Sequence, residues 1–88
     1  MTTEIHWHDK EQITAALAGI NQVGIVGEEA VIAAAESVAK RLESDAKATK
    51  AHAEHTDDMQ AYRRRLDEAR EYSARARAIR NWAKQEAA

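Results

Sequence analysis

The sequence predicts an all-α fold in which a short N-terminal helix precedes a long antiparallel helical hairpin that resembles a coiled coil. Proline is absent, and the three glycines all fall between positions 19 and 27. Alanine, glutamate, lysine, arginine and glutamine, which have high helix propensities, make up about half of the chain. Over long stretches the apolar residues recur every three or four positions, as one face of a helix requires.

The apolar content of the chain predicts a thin core. A chain of 88 residues has room for one domain. Leucine, isoleucine, valine and phenylalanine together make up about 15% of it, below the roughly 20% typical of a packed core. No cysteine is present, so no disulfide compensates. We therefore expect a homo-oligomer, a dimer or larger bundle, to complete the core.

Residues 1–8 are predicted to form an N-terminal arm ahead of a single helical domain, residues 9–88. The first ten residues contain charged side chains and histidines where a secretory signal peptide needs an apolar run. Elsewhere the apolar runs are much shorter than the roughly 18 residues of a membrane span. We expect a cytoplasmic protein that does not bind a membrane.

The first helix is predicted over about residues 9–23. Asp9 and Gln12 have the spacing of a capping box, in which both side chains bind unpaired backbone N–H groups at the helix start. Gly24 suits the left-handed residue that follows many helices. Apolar side chains at helical spacing predict the core-facing residues of this segment, namely Ile13, Leu17 and Ile20.

The second helix is predicted over about residues 28–54. Gly27 is the expected N-cap, and Glu28 and Glu29 place negative charge at the positive end of the helix dipole. A heptad stripe follows, with Val31, Val38 and Leu42 as its core residues. Its second half is polar and continues through Asp45, Thr49 and His52.

The third helix is predicted over about residues 57–86, beginning at a second capping box formed by Asp57 and Gln60. Its apolar stripe, out of phase with the previous one, starts with the expected core residues Met59, Tyr62 and Leu66. A phase change indicates either a helix break or an overwound continuous helix. We favour the break; the alternative is one helix over residues 28–86, about 90 Å long, paired with another chain.

Charge divides the chain into two parts. Residues 1–58 have five basic and eleven acidic side chains, whereas residues 59–88 have eight basic and four acidic ones. On the third helix basic side chains recur every seven residues, in the position of the flanking charges that select partners in coiled coils. Tryptophan and arginine are also enriched in interface hot spots. The predicted partner-binding residues are Arg63, Arg70, Arg77, Arg80, Trp82 and Lys84.

The sequence contains no pattern specific for catalysis. No serine or threonine nucleophile is grouped with a base, so we expect no enzyme. Two histidine pairs, His6 with His8 and His52 with His55, leave a four-histidine zinc site as an alternative. Without a cysteine or an HExxH helix, solvent-facing or interfacial histidine is favoured, and we expect no metal and no cofactor.

These patterns predict a non-enzymatic helical protein–protein interaction module. It would be an adaptor, an assembly factor or a small inhibitor of a larger protein complex, of the kind that phages encode. The alternative is a nucleic-acid-binding protein whose basic C-terminal helix contacts phosphates. Acidic residues on that helix and the net charge of −2 favour a protein partner.

Overall fold

A computed structural model describes residues 5–25 and 27–87, and these residues form three α-helices without a β-strand. The helices are α1 (Trp7–Gln22), α2 (Glu28–Glu54) and α3 (Met59–Ala87). The all-α prediction is confirmed.

The predicted arm is described only from residue 5, because residues 1–4 lie outside the described part. Its last two residues belong to α1. In the described part, no helix combines the length and apolar character needed to cross a membrane.

The start of α1 differs from the predicted capping box. His6 is the N-cap, and its Nδ1 accepts a hydrogen bond from the backbone N–H of His8 at 3.2 Å. Asp9 does not cap the helix, because its carboxylate is buried and pairs with Arg75 of α3. The Asp9 side chain, which the sequence pattern predicted to cap α1, therefore forms a tertiary ion pair instead. The helix begins at Trp7, two residues earlier than predicted.

The connection from α1 to α2 contains two glycines with positive φ angles. Gly24 has φ of 91° just after α1, as predicted for a residue in the left-handed region. Gly27, with φ of 76°, is the N-cap of α2, which also agrees with the prediction. Both conformations are favourable for glycine and strained for residues with a Cβ atom. The helix bounds at this end are thus determined by the two glycines.

Substitution of alanine for glycine is expected to have opposite effects at two positions. Gly19 lies inside α1 with open space around its missing Cβ, so Gly19→Ala should raise the free energy of unfolding by about 0.5–1 kcal/mol. A Cβ atom at position 24 would meet no neighbour either, but the backbone conformation there is strained for alanine. Gly24→Ala should therefore lower the free energy of unfolding by about 1 kcal/mol. Urea denaturation measures both, and a stabilised Gly24→Ala variant would contradict the turn conformation.

Residues 55–58 separate α2 from α3, so the chain does not form the alternative continuous helix. The Oδ1 atom of Asp58 accepts a hydrogen bond from the backbone N–H of Gln60 at 3.0 Å. The predicted cap, Asp57, is therefore one residue too early. An N-cap residue directly precedes the first helical residue, and its side chain commonly accepts a hydrogen bond from the backbone N–H of the second or third helical residue. In α3, which begins at Met59, this N-cap is Asp58.

The core is built mainly from alanine. The most extensive helix contact is between α2 and α3, and α1 packs on α2. Small side chains allow two helices to approach closely, which suits a chain with few large apolar residues. The buried cluster consists of Ile13, Ala34, Ala35, Val38, Ala39, Leu42, Ala76, Ile79 and Ala83.

The apolar row of α2 changes phase after Leu42. The polar second half of the heptad stripe includes Asp45 and His52, and both are exposed. Ala46 and Ala53, one position later, are buried instead. An ordinary α-helix has 3.6 residues per turn, so a strict seven-residue repeat drifts off the contact line unless the helix supercoils. Alanine fits the closely packed line.

The predicted core residues occupy three kinds of environment. Ile13, Val38 and Leu42 are buried. Leu17, Ile20, Val31, Tyr62 and Leu66 are half-buried. Met59, the first residue of α3, is 65% exposed and lies outside the core. Ile79, which was not among the predicted core residues, is fully buried.

Candidate protein-binding groove

One side of the α2–α3 pair is covered by α1. A row on α3 with helical spacing meets α1 residues, and it consists of Tyr72, Arg75, Ile79 and Trp82. At about 100° per residue, the buried Ala76 and Ala83 lie next to this row and face α2. The side of α3 beyond these alanines is therefore the side that α1 does not cover.

On that uncovered side, an open groove of about 620 Å³ lies between α2 and α3. Its floor includes Ala46 and Ala69, which are buried, and Leu66, which is half-buried. Tyr62 lines the end near the 55–58 connection. We call this feature the basic groove, because its rim is formed by the cations Lys47 and Lys50 of α2 and Arg70 and Arg77 of α3.

The charge of the basic groove is mostly uncompensated. Its one lining carboxylate, that of Glu43, binds Arg80 at 2.6 Å. Arg70 has only a long, exposed contact of 3.9 Å with Asp67. Within residues 5–25 and 27–87, Lys47, Lys50 and Arg77 have no carboxylate at ion-pair distance. Exposed cations of this kind are free to pair with a bound molecule.

The predicted partner-binding residues are divided by the structure. Arg70 and Arg77 line the basic groove, whereas Arg63 and Lys84 are exposed on α3 outside it. Arg80 is already used within the chain, since it joins α3 to Glu43 of α2. Trp82 is half-buried against the core. Of the six predicted partner-binding residues, two therefore line the basic groove.

Lys47 and Lys50 were missed because they lie in the stretch between Glu43 and Asp58, which has no large apolar residue. A signal was available in that stretch. Ala46 and Ala53 continue the helical spacing that starts at Leu42, and both are buried. Reading alanine as a core residue would have placed both lysines beside the contact line of α2.

A buried ion pair joins α1 to α3. The guanidinium of Arg75 donates two hydrogen bonds to the carboxylate of Asp9, one of them from Nε at 3.1 Å. The hydrogen bond to Asp9 raises the pKa of Arg75 above its usual value, although burial acts in the opposite direction. A raised pKa means that the arginine stabilises the fold below its ordinary pKa and loses this effect only in strong alkali. The pair has a structural role.

The four histidines lie near helix ends. His6 and His8 are at the start of α1, and His52 and His55 are exposed at the end of α2. His8 also contacts Gln12, with 3.2 Å between their Nε2 atoms. Among the residues that the structure describes, no three or more side chains of histidine, aspartate or glutamate are grouped to hold a metal ion.

Comparison with known proteins adds no functional assignment. No protein-family model matches the sequence, and no curated protein or solved structure matches it. The feature that bears on function is therefore the chemistry of the basic groove.

Proposed function

We propose that the chain is a non-enzymatic helical module of the cytoplasm that binds another protein through the basic groove. Its role would be that of an adaptor, an assembly factor or a small inhibitor of a larger protein complex. The observation that carries the proposal is the groove itself. It joins an apolar floor to a rim of four cations on the side that α1 leaves open, and among the described residues three of these cations have no carboxylate at ion-pair distance.

The platform for binding would be an antiparallel, coiled-coil-like hairpin of α2 and α3. An ion pair joins Glu43 of α2 to Arg80 of α3, while Lys50 and Leu66 line the groove closer to the 55–58 connection. A groove between two helices is a common docking site for the apolar face of a third helix. The small side chains of Ala46 and Ala69 would let such a helix approach closely.

Self-association is a second proposal that the thin core supports. The side chains available for it outside the basic groove include Trp7, Val23 and Met59, each of them a large apolar residue with more than half of its surface exposed. A second copy seated on the groove itself would bring cations of α3 close to one another. A homo-oligomer is therefore proposed to form through other surfaces.

Nucleic acid is the competing partner, because four cations line one groove. Phosphate contacts need cations but no apolar floor. The floor of the basic groove contains alanine and leucine, whereas Tyr62, the one aromatic side chain that lines it, is half-buried. This composition favours an apolar protein surface with acidic flanks.

A photoreactive amino acid at Ser73 tests the proposal. Ser73 lines the groove and is exposed, while Ala18, exposed on α1, is the matched control position. After irradiation in cells that naturally encode the chain, we expect a covalent adduct with a different protein from position 73 and none from position 18. Mass spectrometry of the adduct identifies the joined segment.

Several outcomes of this experiment would contradict the proposal or part of it. Adducts with nucleic acid alone would assign the groove to the competing function. Equal adducts from positions 73 and 18, or none from position 73, would show that the groove binds no protein selectively. An adduct at twice the mass of the chain would identify a second copy and would contradict the separation of groove and self-association surface.

A further inference from the structure

We infer that the occupant of the basic groove is an acidic amphipathic α-helix of a different protein, about four turns long. This inference rests on the proposed function, because it names the class of partner for the same surface. Three features of the groove carry it: the apolar floor, the position of the cations on both sides, and the distance over which the lining extends.

The floor selects a helix over an extended or irregular segment. Ala46 and Ala69 are buried at the line where α2 meets α3, and Leu66 adds the one large aliphatic side chain beside them. A row of small residues between two helices accepts the side-chain ridge of a third helix, at interaxial distances of about 8–10 Å. The occupant therefore needs an apolar stripe with helical spacing.

The rim selects acidic flanks on both sides of that stripe. Lys47 and Lys50 border the floor on α2, and Arg70 and Arg77 border it on α3. Glu43 adds little opposing charge, because Arg80 already neutralises it. A helix with carboxylates on each side of its apolar stripe would meet two cations per side.

The charge pattern disfavours docking of two copies of this chain through their basic grooves. The part of the chain that includes α3 has eight basic and four acidic side chains, and every helix has exposed cations, such as Lys10 on α1 and Lys40 on α2. Copies docked through this side would place arginines of α3 close to the cations of the rim. A partner of opposite charge avoids that repulsion.

The lining of the groove on α3 gives the length of the occupant. On α3 the lining extends from Tyr62 to Arg77. At 1.5 Å per residue this separation is about 22 Å, which a helix of about 15 residues spans in four turns. Each turn would present one or two apolar residues to the floor and one carboxylate to a side of the rim.

Peptide binding to the full chain tests the inference. The probes are two fluorescent 18-residue helical peptides with the same leucine and alanine stripe, one with glutamate and one with lysine on both flanks. Fluorescence anisotropy should show the glutamate peptide binding at least about tenfold more tightly than the lysine peptide, with affinity falling as salt is raised. Equal affinities would overturn the inference.

Matched charge reversals localise the binding. Arg70→Glu with Arg77→Glu alters the rim, whereas Lys10→Glu with Arg64→Glu makes the same change in net charge at exposed positions outside the groove. The first pair of substitutions should weaken binding of the glutamate peptide by about tenfold or more. The second pair should change the affinity for this peptide by less than about twofold. Circular dichroism checks that both variants stay helical. Equal losses in the two variants would contradict binding in the groove.

The outcomes also separate this inference from the proposed function. Tighter binding of a 20-nucleotide DNA strand than of the glutamate peptide would overturn both. If the glutamate peptide fails to bind while position 73 still joins a different protein, the acidic helix is wrong and the interaction module stands. A crosslinked segment that is an acidic helix would support both.

Discussion

Replacement of Arg75 by methionine is expected to lower the free energy of unfolding by about 3 kcal/mol. The variant keeps most of the aliphatic stem but leaves the carboxylate of Asp9, which is 1% exposed, without its cation. Removing one partner of a buried pair typically costs about 3 to 5 kcal/mol. The lower end applies here because the Arg75 side chain is 27% exposed. Urea denaturation followed by circular dichroism measures the change.

The double variant Asp9→Leu with Arg75→Met is the control for this result. Replacing both members of a buried pair by apolar groups of similar volume is often neutral for stability. We expect the double variant to recover most of the loss, so that the double-mutant cycle gives a large coupling energy. A single variant as stable as the original chain, or a double variant as unstable as the single one, would show that the pair does not fix α1.

Replacement of Ile79 by alanine is expected to have a similarly large effect, about 3 kcal/mol. Ile79 is fully buried in the cluster that joins all three helices. Truncation of a buried isoleucine to alanine costs about 2 to 5 kcal/mol, because apolar contacts are lost and a cavity remains. The alanines around it have short side chains that cannot move to fill this cavity. Thermal unfolding should show a clearly lower midpoint.

Ile32→Ala is the matched control, since it makes the same chemical change on α2 at an isoleucine that is 37% exposed. We expect a change of about 0.5 kcal/mol or less at this surface position. Equal effects at positions 79 and 32 would contradict the burial of Ile79 in the core and the exposure of Ile32. A small effect at both would indicate that the alanine contacts carry more of the stability than the large apolar residues.

These stability variants and the groove variants address different parts of the chain. Arg75 and Ile79 lie on the α1 side of α3, whereas Arg70 and Arg77 lie on the open side. Reversal of the two exposed arginines should therefore weaken peptide binding with little loss of stability. A separation of this kind is what distinguishes a binding surface from a part of the core.

Local signals in the sequence predicted the helices well. The breaks at Gly24 and Gly27 coincide with positive φ angles, and the bounds predicted for the second helix, residues 28–54, agree with those of α2. These features depend on backbone conformation and on residues within about one turn of each other. Such signals can be read without knowing which helices meet.

The candidate site was predicted only in part. The seven-residue spacing found Arg70 and Arg77, but the same row includes Arg63 and Lys84, which lie outside the groove. Spacing along one helix specifies a face, and it does not specify how much of that face a neighbouring helix leaves open. The contribution of Lys47 and Lys50 of α2 to the rim could be identified only from the positions of both helices.

The sequence by itself determined an all-α chain, its three helical segments and its two glycine breaks, because helix propensity and the conformational freedom of glycine act within the local backbone. Only the tertiary structure decided that Asp9 pairs with Arg75, 66 positions away, and that Lys47 shares a groove with Arg77. The physical reason is helix rotation. A shift of one residue turns a helix face by about 100°, so long-range contacts depend on how alanine rows of two helices fit together.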